Sequence, residues 1–193
     1  EEIELGRFGL LQPDPSVFLR IRPSRKLSPS ERRTITRLRG SAFDLYDGRR
    51  WSRSMPDRRT LATTGGRVWL QQPRADTETL ELEVLIEYLD PPVLFIPPGV
   101  TWVELPQRGP PGLQRSLELS HAAGLDLRYA PPNAPAMMYR LGVQATRSGW
   151  PVDPEVPVEK YLQLPSGHER TAELARQVVG QAVSPRERAR RLL

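Results

Sequence analysis

The chain has 193 residues, 38% of them hydrophobic, with 21 prolines and a mean hydropathy of −0.50, which suits one good-sized domain or a domain plus an appendage, rich in loops and short strands. It contains no cysteine, which excludes a disulfide framework, a cysteine nucleophile and a thiolate metal site within these residues. The net charge is +5 and the pI about 10.1, carried almost entirely by arginine, since Lys26 and Lys160 are the only lysines. The charge is segregated: residues 20–59 carry 13 basic and 4 acidic side chains, a balance of +9, and residues 76–104 carry 7 acidic and no basic ones, a balance of −7. Two such blocks facing each other in one fold would cancel, and this reading is favoured over an anionic partner. The longest apolar run, residues 91–100, is broken by proline and much shorter than the roughly 20 residues a membrane helix needs.

In chain order, residues 1–15 show no sustained period and read as a lead-in segment. Residues 17–22 (VFLRIR) alternate, which predicts a strand with Val17, Leu19 and Ile21 inward and Phe18, Arg20 and Arg22 outward. Residues 23–31 read as a loop with two prolines and three serines, and residues 33–39 (RTITRLR) as a strand. A hairpin follows, with strands at 41–46 and 49–52 around Asp47-Gly48, read as a two-residue turn. That register sets Tyr46 opposite Arg49 and Asp44 opposite Trp51. It puts Tyr46, Arg49 and Trp51 on one face, and Phe43 and Leu45 in the core.

Residues 53–66 read as a loop and 68–71 as a short strand. Residues 79–89 form the clearest strand, with Leu80, Leu82, Val84, Ile86 and Tyr88 on one parity and Glu81, Glu83 and Glu87 on the other. Further short strands are expected at 93–96, 101–105, 113–119, 125–129 and 138–145, with a turn at 107–112. This spacing predicts a mainly β fold, an antiparallel β-sandwich-like domain with one or two short C-terminal helices. Residues 149–165 are a proline-rich connector. Two S-x-x-E capping boxes, Ser166–Glu169 and Ser184–Glu187, then open two helices, the first with Ala172, Leu174, Ala175, Val178, Val179 and Ala182 on one face. The second runs for about two turns before Leu193. The division expected is therefore a β domain at 1–148, a linker at 149–165, and at 166–193 the first helices of a truncated further domain.

The chemistry-bearing residues are few. Ser120, His121 and Asp126 lie close in sequence, but Ser120 and His121 are adjacent and point apart, and no nucleophile elbow is present. His168 is expected to be solvated in the first turn of a helix. The carboxylates of 76–90 are spaced as the wet face of a strand rather than as metal ligands, and no metal or cofactor is expected. No phosphate-binding glycine pattern occurs. The candidate binding surface is Tyr46, Arg49 and Trp51.

The stretch LRGSAFDLYDGRRW, residues 38–51, resembles the signature of the extracytoplasmic β-rich region of bacterial membrane-anchored transglutaminase-like proteins of the TgpA type. The lead-in around 6–22, and YLQLP followed by LARQVVG and SPRERARRLL at 161–193, resemble the same family more weakly. The resemblance implies an accessory, non-catalytic domain between transmembrane helices and a transglutaminase-like catalytic domain of the same parent chain, on the extracytoplasmic side of a bacterial membrane. It spaces or supports an enzyme with a Cys–His–Asp triad. No catalytic position of that family maps onto this chain. An anionic membrane surface is a further partner the resemblance allows, and nucleic acid is disfavoured. Two other readings stay open. A free-standing peptide- or glycan-binding module requires a concave aromatic groove. A nucleic-acid-binding domain requires an uninterrupted basic face.

Overall fold

The computed structural model describes residues 2–4, 15–53, 59–87, 89–108, 115–116, 118–122, 126–130, 136–145, 162 and 164–193. The described chain is mainly β, with antiparallel pairing throughout and three short helices. It divides into two compact units. One comprises Leu11–Phe43 and Met55–Val156; the other comprises Glu1–Leu10, Asp44–Ser54 and Pro157–Leu193.

The larger unit is built on a five-stranded sheet. Its strands are β2 (Leu19–Pro23), β6 (Val68–Trp69), β7 (Leu80–Glu87), β8 (Val100–Glu104) and β13 (Ala136–Val143), in the order β2-β7-β13-β8-β6. The alternation along β7 decides which face is wet. Leu80, Leu82, Val84 and Ile86 are buried, and Glu81 and Glu87 are exposed. Tyr88 lies outside the described residues. β13 pairs with β7 so that Leu82 faces Leu141 and Val84 faces Tyr139, which puts both apolar sets on the same side.

A three-stranded sheet of β5 (Arg59–Thr60), β11 (Glu118–Ala122) and β12 (Asp126–Ala130) adds Leu119, Leu127 and Tyr129 to the same core. Two sheets sharing one apolar core are the expected sandwich-like arrangement. Between them Tyr139 fastens the 93–96 segment: its hydroxyl donates to the Phe95 carbonyl at 2.7 Å and accepts from the Phe95 N–H at 3.1 Å. Burial pushes that phenol upward. A short pair, β9 (Gln107–Arg108) and β10 (Arg115–Ser116), is also present.

Several expectations need correction. Residues 29–35 are neither loop nor strand but α1 (Pro29–Ile35), capped by a complete box in which Ser28 accepts from Glu31 N and Glu31 accepts from Ser28 N. Its buried Ile35 docks the helix on the core, so packing and the cap override the β-branched residues of 33–39. Val17 is exposed rather than inward, because the strand begins at Leu19. The loop expected at 53–66 contains β5, and the turn expected at 107–112 contains β9. Residues 93–96 make isolated bridges, Val93 to Arg128 and Ile96 to Arg39, instead of a strand.

The charge blocks pair in part, through Arg22 and Arg25 of the basic block, while Arg67, which lies outside it, adds further pairs to the acidic one. Arg22 meets Glu83 at 3.1 Å, and Arg25 meets Glu78 at 3.0 Å as well as Glu31 at 2.8 Å. Arg67 lies between Glu104 at 3.2 Å and Glu81 at 3.7 Å, with its guanidinium 3.9 Å from the Trp102 ring centroid. Trp102 lies against Gly142, where any Cβ would collide with the indole.

The smaller unit has a three-stranded sheet, β1 (Glu2–Glu4), β4 (Arg50–Ser52) and β3 (Leu45–Tyr46), with β4 in the middle, and two helices, α2 (Glu169–Val179) and α3 (Pro185–Leu192). Ser184 caps α3 by accepting from Glu187 N, as its motif predicts. The Ser166 box does not form: α2 starts from His168 without a side-chain cap. Arg191 donates to the carbonyl of Val179, the last residue of α2, and Arg188 to that of Ala182 in the connection, which ties the helices together. The expected apolar stripe is only partly covered. Ala182 is buried, whereas Leu174 and Val178 are exposed. Most of the proline-rich connector lies outside the described residues.

Candidate functional site

The hairpin carries all three candidate surface residues, and its turn differs from expectation by one residue. Tyr46 pairs with Trp51 and Leu45 with Ser52, not Tyr46 with Arg49. Asp47 and Arg50 flank the turn, joined by a backbone bond of 3.2 Å from Asp47 N to Arg50 O. The cause is the Asp47 side chain. Its Oδ1 accepts from Arg49 N at 2.8 Å and Arg50 N at 2.6 Å, so aspartate opens the turn and Gly48 takes the positive φ of +102°. Those two N–H groups hold the Asp47 carboxyl below the usual range. The shift preserves parity, so Tyr46 and Trp51 still share a face, now directly opposite rather than diagonal.

The two rings stack with centroids 4.7 Å apart and planes 24° from parallel. The Tyr46 hydroxyl donates to the Gly48 carbonyl at 2.7 Å, which locks the ring over the turn. His168 meets Tyr46 edge-on, with centroids 6.1 Å apart. It is half-buried rather than solvated, and its Nδ1 is buried with no hydrogen-bond partner among the described residues. Pro165 and His168 both lie near Gly48. Trp51 retains 39% exposure. Arg49 is ion-paired to Glu4 at 2.7 Å, so its charge is compensated from β1. Phe43 and Leu45 are half-buried and do not join the fully buried core.

The sequence reading thus brings Tyr46 and Trp51 together correctly. It misses His168, Pro165 and Glu4, which are more than 40 residues away in sequence and carry no local sign of the contact. The Ser120, His121 and Asp126 combination is not assembled. His121 lies in β11 rather than a loop. Pairing sets Ser120 opposite Arg128 and Ala122 opposite Asp126, so His121 is on the other face from both. Asp126 is buried and meets Arg128 at 3.3 Å. Among the described residues no group of three His, Asp or Glu is placed to hold a metal, and no helix is long and apolar enough to cross a membrane.

The hairpin of the smaller unit thus carries an aromatic clasp, and the larger unit is a β sandwich. The family model of the TgpA N-terminal domain matches residues 1–148, and the chain belongs to that family. Two solved structures are similar to it: the periplasmic domain of TgpA from Pseudomonas aeruginosa (TM-score 0.59, 19% identity, 93% of this chain and 55% of that one), and the same domain bound to ethylmercury (TM-score 0.58, 20% identity, 91% and 54%). The chain therefore spans about half the length of the periplasmic domains it matches. At that identity the likeness is one of fold. No curated protein matches.

Proposed function

We propose that residues 1–193 are a non-catalytic, extracytoplasmic part of a membrane-anchored protein whose catalytic domain is transglutaminase-like, and that they space or support that domain. The sequence divides as a β domain at 1–148, a connector at 149–165, and the first helices of a further domain at 166–193. The observation that carries this reading is the make-up of the smaller unit. Its hairpin lies inside the family match and holds most of the signature LRGSAFDLYDGRRW, yet it packs through Tyr46 and Gly48 on His168 and Pro165, beyond that match. An element of the N-terminal region is thereby built into the C-terminal segment that opens the further domain. A supporting domain needs packed contact with the segment it supports, because separate domains otherwise reorient freely. The absence of cysteine means that a Cys–His–Asp triad cannot be drawn from these residues. The exposed Trp51 beside Tyr46, with Arg49, is the surface on which the parent's substrate or catalytic domain would bear.

Reading the gene on both sides of these residues tests the proposal. Transmembrane helices before Glu1, and a cysteine at a helix start followed by histidine and aspartate after Leu193, support it. A signal peptide directly before Glu1 and a stop after Leu193 overturn it. In a parent so confirmed, an alkaline phosphatase fusion at Leu193 is expected to be active, which places the domain outside the cytoplasm.

A further inference from the structure

We propose that the open edge of β2 accepts one added strand, an extended peptide segment in which acidic residues alternate with apolar ones. β2 ends the five-stranded sheet. Its bonds to β7 run through the even-numbered residues, as Ser24 N to Glu81 O and Glu87 N to Phe18 O show. Leu19 and Ile21 therefore turn their N–H and C=O groups away from the sheet, and no described residue pairs with them.

The charges on the solvent face say what fits there. One cross-strand rank reads Arg22, Glu83, Arg140, Glu104, alternating in sign over four strands, with Arg22 to Glu83 at 3.1 Å and Arg140 to Glu104 at 3.4 Å. The rank ends at the open edge on Arg22, whose side chain is 83% exposed, so the next residue outward that continues the pattern is acidic. The neighbouring rank is Arg20, Leu85, Met138, and these residues line a groove with Ile21 and Arg22. Met138 is 47% exposed there. On the opposite face, Leu19 and Ile21 are half-buried against the core and would take apolar neighbours. Alternation of acidic and apolar side chains meets both faces at once.

A second copy of the chain is a poor occupant. Antiparallel pairing of β2 with itself about Ile21 sets Arg20 opposite Arg22 twice, and pairing about Arg20 sets that arginine opposite itself. Like charges directly opposed are destabilising. The arginines that oppose self-pairing in these two registers favour an acidic strand.

The test uses the full 193-residue chain and a fluorescein-labelled Glu-Val repeat peptide, read by anisotropy. Its companions are a Lys-Val repeat and a Glu-Val repeat N-methylated at alternate residues, which can no longer donate along one edge. The Glu-Val peptide is expected to bind, the other two to bind at least about tenfold more weakly, and the amide exchange of Leu19 and Ile21 to slow on binding. The double variant R20E/R22E, checked for an unchanged melting transition, is expected to prefer the Lys-Val peptide. Equal binding of the N-methylated peptide would mean charge attraction without strand addition and would overturn the proposal. So would failure of the Glu-Val peptide to bind, dimerisation through β2 in sedimentation, or binding to phosphatidylglycerol vesicles alone.

Discussion

β7 and the 45–52 hairpin are both antiparallel β structure, and they obey different rules. In β7 one face is fully buried, so the alternation of leucine, valine and isoleucine with glutamate dictates the register. A slip of one residue would carry Leu80, Leu82, Val84 and Ile86 into water and bring the glutamates into the core. The hairpin has two cross-strand pairs and no fully buried residue. Nothing in its core penalises a shifted turn, so the local chemistry of Asp47 decides. Bonding to the N–H groups of Arg49 and Arg50 moved the turn one residue along from the simplest reading of Asp-Gly. Burial disciplines register; where burial is absent, side-chain-to-backbone bonds do.

The comparison predicts a ranking of effects. Leu82→Ala, at a position 1% exposed in the large core, is expected to destabilise by about 2–5 kcal/mol in urea unfolding. A loss under about 1 kcal/mol would mean that this sheet is no more disciplined by burial than the hairpin. Gly142→Ala comes next, at about 1–3 kcal/mol, because its Cβ would enter the Trp102 indole and displace it from under Arg67. Tyr46→Ala should cost about 1 kcal/mol locally, by loss of the ring stack and the hydroxyl bond to Gly48. Hydrogen exchange should quicken in 45–52 and around His168 while β7 amides keep their protection. An equal loss of protection at 45–52 and in β7 would show that the ring stack does not act locally. Ser28→Ala, removing the α1 cap, should cost about 1 kcal/mol in urea unfolding.

The smallest effect concerns acid. Glu31, held by Arg25 and by the Ser28 backbone N–H, titrates at about 2 instead of 4.5. A lowered folded-state value stabilises the fold above pH 4.5, and that contribution is lost as the pH falls toward 2. Glu31→Gln should therefore lower the melting temperature modestly at neutral pH, with the difference from the parent protein vanishing as the pH falls from 4.5 toward 2. An identical acid limb in both proteins would show that the cap does not bear on folding.

The same pattern, S-P-x-E, opens α1 at Ser28–Glu31 and α3 at Ser184–Glu187, and both helices form. The first is hidden in the sequence because threonine and isoleucine come after it and suggest a strand; the second is plain because arginine and alanine do. A capping box thus outweighs a few β-branched residues when the helix can bury one of them, here Ile35. At Ser166 the box pattern is present and the cap is not, since the chain reaches α2 through Gly167 at φ +86° and places His168 at the cap.

The sequence by itself determined the β class, the strand β7 with its buried parity, the approximate positions of β8, β12 and β13, and the shared face of Tyr46 and Trp51. Each of these rests on a period or a local pattern that is present in consecutive residues. Only the tertiary structure decided that Arg49 is neutralised by Glu4, that His168 closes on Tyr46, and that the hairpin clusters with the C-terminal helices. Those contacts join segments with no intervening periodicity, and their free energy comes from apolar area and hydrogen bonds that exist only once the chain has closed on itself.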